Sequence, residues 1–183
     1  MPILGEIDTV QALGHRPRAQ RVVRTGPDAG VIFPVEVPAH VSVLTSFRSG
    51  VVGTSIYSFD APVRRQTFEI TGSEGTIEVP VSGFDGPTRI PNASSGGADW
   101  GTVPPPRVHR ERGVGVLEMA RAIRVGRQPR ASALACHVLD VMLAVEESAE
   151  TGTPVQVRSE TGPITPVEAE SAGGSAVPLK QAA

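Results

Sequence analysis

Two runs rich in β-branched and aromatic residues, 39–47 and 51–59, flank Arg48-Ser49-Gly50, and no other feature narrows the fold as much. A glycine at the third loop position supplies the positive φ that closes a three-residue connection, so the pattern predicts an antiparallel hairpin. Along the first arm Val41, Val43, Thr45 and Phe47 share one face, while Ser42, Leu44 and Ser46 share the other. One side is apolar enough to pack and the other is mixed.

More strands gather around this hairpin. Residues 7–13 read as a short first strand and 20–24 as a weaker second one, followed by the turn Gly26-Pro27-Asp28-Ala29-Gly30. Residues 66–71 and 76–79 flank Gly72-Ser73-Glu74-Gly75 as a second hairpin. From 80 to 112 the pattern weakens into glycine, serine and proline clusters, with room for strands near 88–90 and 100–103. With 20 Gly and 17 Pro, the chain is turned too often for a bundle of long helices.

Helical periodicity then takes over. Val116, Leu117, Ala120 and Ile123 form an apolar stripe over 113–125, ended by Gly126 and Pro129. Ser132 reads as the N-cap of a second helix whose stripe is Leu134, Val138, Val141, Val145 and Ser148, stopped by Gly152 and Pro154. Val155-Gln156-Val157 reads as a final strand. The expected fold is α+β: an open, mainly antiparallel sheet of about six or more strands, with two C-terminal helices packed on one face. One domain is expected over 1–158, and 159–183 is too poor in large apolar groups to order itself, so a mostly disordered tail is expected there.

Charge and cysteine content exclude several roles. The net charge is -2 and the pI about 6.1, without a basic stripe, which argues against nucleic acid or an anionic membrane as main partner. Cys136 is the only cysteine, so neither an intrachain disulfide nor a cysteine zinc site can form, and a cytoplasmic location is expected. No basic-then-apolar leader opens the sequence, and no run of roughly 18 apolar residues could span a bilayer. Of the 17 basic residues only Lys180 is a lysine, so lysine chemistry has no candidate in the folded body.

The chemistry-bearing residues are sparse. His15, His40, His109 and His137 do not pair with a second ligand at helical spacing, and no metal site is expected. His137 and Asp140 share a helix face, which favours a structural role. His40 opens a strand on the face opposite Val41 and Val43, where it could line a substrate cleft or belong to a solvated or dimer-facing surface. Arg64-Arg65 could grip an acidic group bidentately, or be exposed loop charge. No Gly-x-Ser-x-Gly elbow occurs, Cys136 reads as a small buried thiol, and Glu146, Glu147 and Glu150 read as a hydrated helix end. Gly113-Val114-Gly115-Val116-Leu117-Glu118 opens a helix, but it follows Pro104-Pro105-Pro106 and charged residues in place of a strand, and has Glu where a third glycine belongs. It reads as a helix entry, not a dinucleotide site. No catalytic and no cofactor-binding residue is assigned.

Five strings in order nevertheless carry a resemblance: Pro34-Val35-Glu36-Val37-Pro38-Ala39-His40-Val41; Ser58-Phe59-Asp60; Gly72-Ser73-Glu74-Gly75-Thr76; Arg112-Gly113-Val114-Gly115 with Glu118-Met119-Ala120-Arg121-Ala122-Ile123; and His137-Val138-Leu139-Asp140-Val141-Met142 through Ser148-Ala149-Glu150-Thr151-Gly152. Over about residues 3–158 the chain resembles the C-terminal domain of the Gfo/Idh/MocA oxidoreductases, the glucose-fructose oxidoreductase and inositol dehydrogenase family. The resemblance implies a domain that shapes a sugar or polyol site and forms the oligomer interface through its sheet. In that family an N-terminal Rossmann domain binds NAD or NADP and carries the catalytic lysine, and a catalytic histidine precedes the first long strand. None of these segments is expected in this chain.

The chain is therefore expected to bind no nicotinamide by itself and to be inactive without a Rossmann domain, whether severed from it or completed by a separately encoded Rossmann chain. A homodimer or higher homo-oligomer through the sheet is the expected assembly. The alternative is a free-standing homodimeric binding module without redox activity.

Overall fold

The computed structural model describes residues 3–63, 65–80, 86–91, 96–97, 99–104, 113–129 and 131–162. Its elements are β1 (Ile7–His15), β2 (Gln20–Val22), β3 (Ile32–Pro34), β4 (His40–Phe47), β5 (Val52–Ser58), β6 (Glu69–Gly72), β7 (Gly75–Glu78), β8 (Thr88–Pro91), β9 (Trp100–Val103), α1 (Val114–Arg124), α2 (Ser132–Thr151) and β10 (Val155–Gln156). They fall into two units, residues 1–66 with 113–164, and residues 67–112 with 165–183.

The first unit holds a four-stranded antiparallel sheet in the order β10-β1-β4-β5 and a separate pair β2-β3. The second holds the antiparallel sheet β6-β7-β8-β9. The α+β class and antiparallel pairing are as expected, but among the described residues the strands pair in three sheets and not in one broad one. Proline explains part of the division, since Pro62 between β5 and β6 and Pro80 after β7 have no N–H to offer a ladder.

The central hairpin is β4-β5, closed as its sequence predicts. Gly50 sits at φ 87 and its N–H donates to the Phe47 carbonyl at 2.9 Å, while Phe47 N–H donates to the Val51 carbonyl at 2.9 Å. β3 was not anticipated, because three residues are too short to show a period. The final strand was anticipated, but its place at the sheet edge beside β1 was not.

Helix α2 lies on the sheet over β1 and β10. Its inward residues His137, Ala144 and Ser148, with Val141, Val145 and Ala149 beside them, meet a core of Ile7, Val10, Ala12, Val43 and Val157. Val141, Val145 and Ser148 of the expected stripe face the core, but Val138 is exposed and the polar His137 beside it is inside. A close approach of β1 to α2 also requires Gly14, where a Cβ would stand 3.0 Å from Pro38 and 3.4 Å from Ala149.

The helix ends differ from the sequence reading at one terminus. Ala131, not Ser132, is the N-cap of α2, and the Ser132 hydroxyl donates instead to the Pro129 carbonyl at 2.7 Å. Gly152 closes the other end in the left-handed conformation, φ 72, its N–H bonded to the Ser148 carbonyl at 2.8 Å. In α1 the fully buried residue is Ala122, and Val116, Leu117 and Ile123 are exposed. Its expected apolar stripe is therefore not the covered side. Gly113 enters α1 at φ 96, the helix-entry role read from the sequence.

In the second unit the β6-β7 turn is the two residues Ser73 and Glu74, with Gly72 opposite Gly75. Arg89 pairs with Glu78 at 2.9 Å and lies over the Trp100 ring, 5.1 Å from its centroid.

Candidate association and substrate face

In an antiparallel sheet directly opposed residues share a face, so the registers of β1, β4 and β5 define both sides. The side under α2 carries Ala12, Val43 and Ser55 in one row and Val10, Thr45 and Gly53 in the next. The other side carries four rows: His15, His40 and Ser58; Leu13, Ser42 and Ile56; Gln11, Leu44 and Thr54; Thr9, Ser46 and Val52. No Asp, Glu, Lys or Arg occupies any of these twelve positions, and Leu13, Leu44, Ile56 and Val52 are 69%, 56%, 66% and 79% exposed. The solvated face of a half-covered antiparallel sheet is normally polar, and the centre of an interface is depleted of charge.

One end of this face is polar. His40 is half-buried with Nε2 3.5 Å from the Ser42 hydroxyl, and His15 stands beside it across the β1-β4 ladder. On its other side Ser58 accepts a hydrogen bond from the Asp60 N–H at 3.3 Å. Asp60 Oδ1 pairs with Arg21 at 2.7 Å, while its buried Oδ2 has no hydrogen-bond partner among the described residues. These groups offer hydroxyl, imidazole, guanidinium and carboxylate chemistry at one sheet end, suited to a hydroxylated ligand.

Of the residues singled out in the sequence, His40 belongs to this end, on the face that alternation predicts. Arg64 lies outside the described residues, as does His109, and Arg65 is exposed. Cys136 is exposed, contrary to the buried thiol expected, because the covered side of α2 passes through its neighbour His137. Sequence reading missed Arg21 and Asp60 as a pair and His15 as the neighbour of His40. Only strand register brings these groups together.

Beneath the sheet, His137 and Ser148 are wholly buried and bind backbone that the sheet cannot satisfy. His137 Nε2 accepts the Ile7 N–H at 3.1 Å, so the ring carries its proton on Nδ1, 2.9 Å from the Ser159 hydroxyl and 3.2 Å from its carbonyl. Ser148 Oγ accepts the Ala12 N–H at 2.9 Å and donates to the Thr153 carbonyl at 2.6 Å. The structural reading of His137 is thus the one its contacts give.

The first residues of the expected tail are tied to the same body. Asp140 accepts the Ser159 N–H at 2.9 Å and the Arg158 N–H at 3.1 Å, and these bonds, Ser159 first, hold its carboxyl below the usual carboxylate range. Glu6 accepts the Thr161 N–H, its hydroxyl and the Gly162 N–H, which lowers its pKa, and its other oxygen meets Arg48 at 3.0 Å. Residues 163–183, the rest of that segment, lie outside the described residues.

Among the described residues no helix is long and apolar enough to cross a membrane. No group of three or more His, Cys, Asp or Glu is placed to hold a metal ion among them.

A mainly antiparallel sheet with one face under a helix and the other open defines the class as an α+β domain. Residues 2–78 match the family model of the GFO/IDH/MocA C-terminal domain. The fold of the chain resembles apo levoglucosan dehydrogenase, at 24% identity and TM-score 0.64, over 84% of this chain and 46% of that one. It also resembles an NAD binding oxidoreductase from Klebsiella pneumoniae, at 20% identity and TM-score 0.62, over 85% and 46%. Levoglucosan dehydrogenase in complex with NADH matches at 25% identity and TM-score 0.61, over 84% and 45%. A comparison with curated protein sequences finds no significant match. The N-terminal part of the chain thus resembles the C-terminal domain of the Gfo/Idh/MocA oxidoreductases, and the chain spans under half the length of the solved structures it matches.

Proposed function

We propose that this chain is the substrate-shaping and oligomerisation half of an NAD(P)-dependent oxidoreductase acting on a sugar or polyol, with the nicotinamide held by a Rossmann-type half. The observation that carries the reading is the open face. It has twelve register positions without a formal charge, exposed aliphatic groups at its centre, and a polar end formed by His40, Ser58, Asp60 and Arg21. The aliphatic centre suits a second copy, since like surfaces without charge can meet about a two-fold axis without repulsion. The polar end suits a hydroxylated substrate, whose O–H groups can both donate and accept. Similarity to levoglucosan dehydrogenase, a protein solved with NADH, supports a nicotinamide as the cofactor class of a Rossmann-type half.

The reading assigns this chain no hydride-transfer chemistry of its own. His40 orients substrate at the sheet end, and the chain contributes binding and burial of the site from water.

Sedimentation of the purified protein tests the association. A dimer is expected, and Leu44→Glu with Ile56→Glu is expected to convert it to monomer with the circular dichroism spectrum unchanged, because each carboxylate lands on the open face and not in the core. A wild-type monomer, or a dimer indifferent to both substitutions, would remove the face from the account.

A further inference from the structure

We propose that His15 and His40 form a binding site for a divalent transition-metal ion of the nickel, copper and zinc class. The two residues are directly opposed on neighbouring antiparallel strands, on the open face. Such pairs place their Cβ atoms roughly 5 Å apart, close enough for both imidazoles to reach one ion. The β1-β4 ladder runs in continuous register from Thr9↔Ser46 to His15↔His40, so the backbone fixes the spacing before any ion arrives. His15 is exposed and its ring makes no hydrogen bond among the described residues. His40 is half-buried, and the Ser42 hydroxyl near its Nε2 is a long contact that an ion can displace or that can steady the ring.

Charge also permits the site. Neither histidine is in an ion pair among the described residues, and no Lys or Arg shares the open rows to repel a dication. The guanidinium groups of Arg16, next to His15 in the chain, and of Arg21 are both engaged, with the Val35 carbonyl at 3.0 Å and with Asp60 at 2.7 Å. Neutral imidazole favours nickel, copper and zinc over magnesium, which demands oxygen ligands. Two protein ligands leave the remaining coordination positions to water, so the ion would be bound openly at the face and not sealed as a structural zinc is. The site shares His40 with the proposed substrate end, but its test needs neither a nicotinamide nor a Rossmann half.

Titration calorimetry of the tag-free protein with nickel chloride and with magnesium chloride tests it. One nickel ion per chain and no magnesium heat are expected. His15→Asn and His40→Asn are each expected to weaken nickel by at least about 10-fold, because loss of a direct ligand should cost no less than loss of an outer partner. His109→Asn is expected to leave binding unchanged. A second readout avoids reliance on variants: in the wild type, substoichiometric copper(II) should broaden the imidazole resonances of His15 and His40 before those of His109 or His137. Absence of nickel heat, wild-type affinity in the H15N/H40N double variant, or broadening centred on another histidine would overturn the site.

Discussion

Replacing His137 with alanine is expected to destabilise the first unit by about 4 kcal/mol, from two separable losses. Truncation of a wholly buried ring leaves a cavity, for which large-to-small changes cost about 2 to 5 kcal/mol. It also strands the Ile7 N–H, which has no water to turn to, at a cost of about 1 to 3 kcal/mol. His137→Leu restores most of the volume but no acceptor, so it should recover the cavity part alone. Urea unfolding of both variants measures the split. Equal midpoints for the wild type and His137→Ala would mean that the ring is not the link between α2 and the start of β1.

Ser148→Ala is expected to cost about 2 kcal/mol although it removes a single oxygen. The hydroxyl accepts from Ala12 N–H in the middle of β1 and donates to the Thr153 carbonyl just past the helix, so its loss leaves a donor and an acceptor unpaired. Ser148→Thr keeps the hydroxyl and separates this loss from crowding. The measurement is the same unfolding series, with amide hydrogen exchange at Ala12 as local readout. Exchange there should accelerate in Ser148→Ala well beyond its neighbours on β1. Unchanged protection at Ala12 would show that the hydroxyl is dispensable.

His137 also marks where sequence reading stops. The β4-β5 hairpin was legible because Gly50 and two alternating runs are local signals, and the ends of α2 near Gly152 and Pro154 were legible for the same reason. The covered side of α2 was legible in Val141, Val145 and Ser148, but the inward place of His137 was not, because an apolar-letter pattern passes over a polar residue that is buried with partners. His137 and Ser148 fill inward positions, while Leu139, Met142 and Leu143 point outward. In α1, apolar residues occur on several sides, so period alone chose the exposed one.

The candidate site shows the same division. His40 was placed on the correct face by alternation from Val41 and Val43. Its neighbours His15, Arg21 and the Ser58–Asp60 segment arrive from three other places in the chain through register and one ion pair, and no spacing rule joins them to it. The charge-free open face was likewise invisible until Leu13, Leu44 and Ile56 were known to share it. By contrast, the resemblance rested on whole strings of sequence, and it anticipated the fold class even where individual boundaries shifted.

Binding of NADH to the purified chain, followed by nicotinamide fluorescence in the presence and absence of a sugar and polyol panel, tests the division of labour most directly. The account predicts no change in fluorescence at micromolar protein, and no oxidation of any polyol by NAD or NADP until a Rossmann-type half is supplied. Saturable quenching by the chain alone, or turnover without that half, would contradict it.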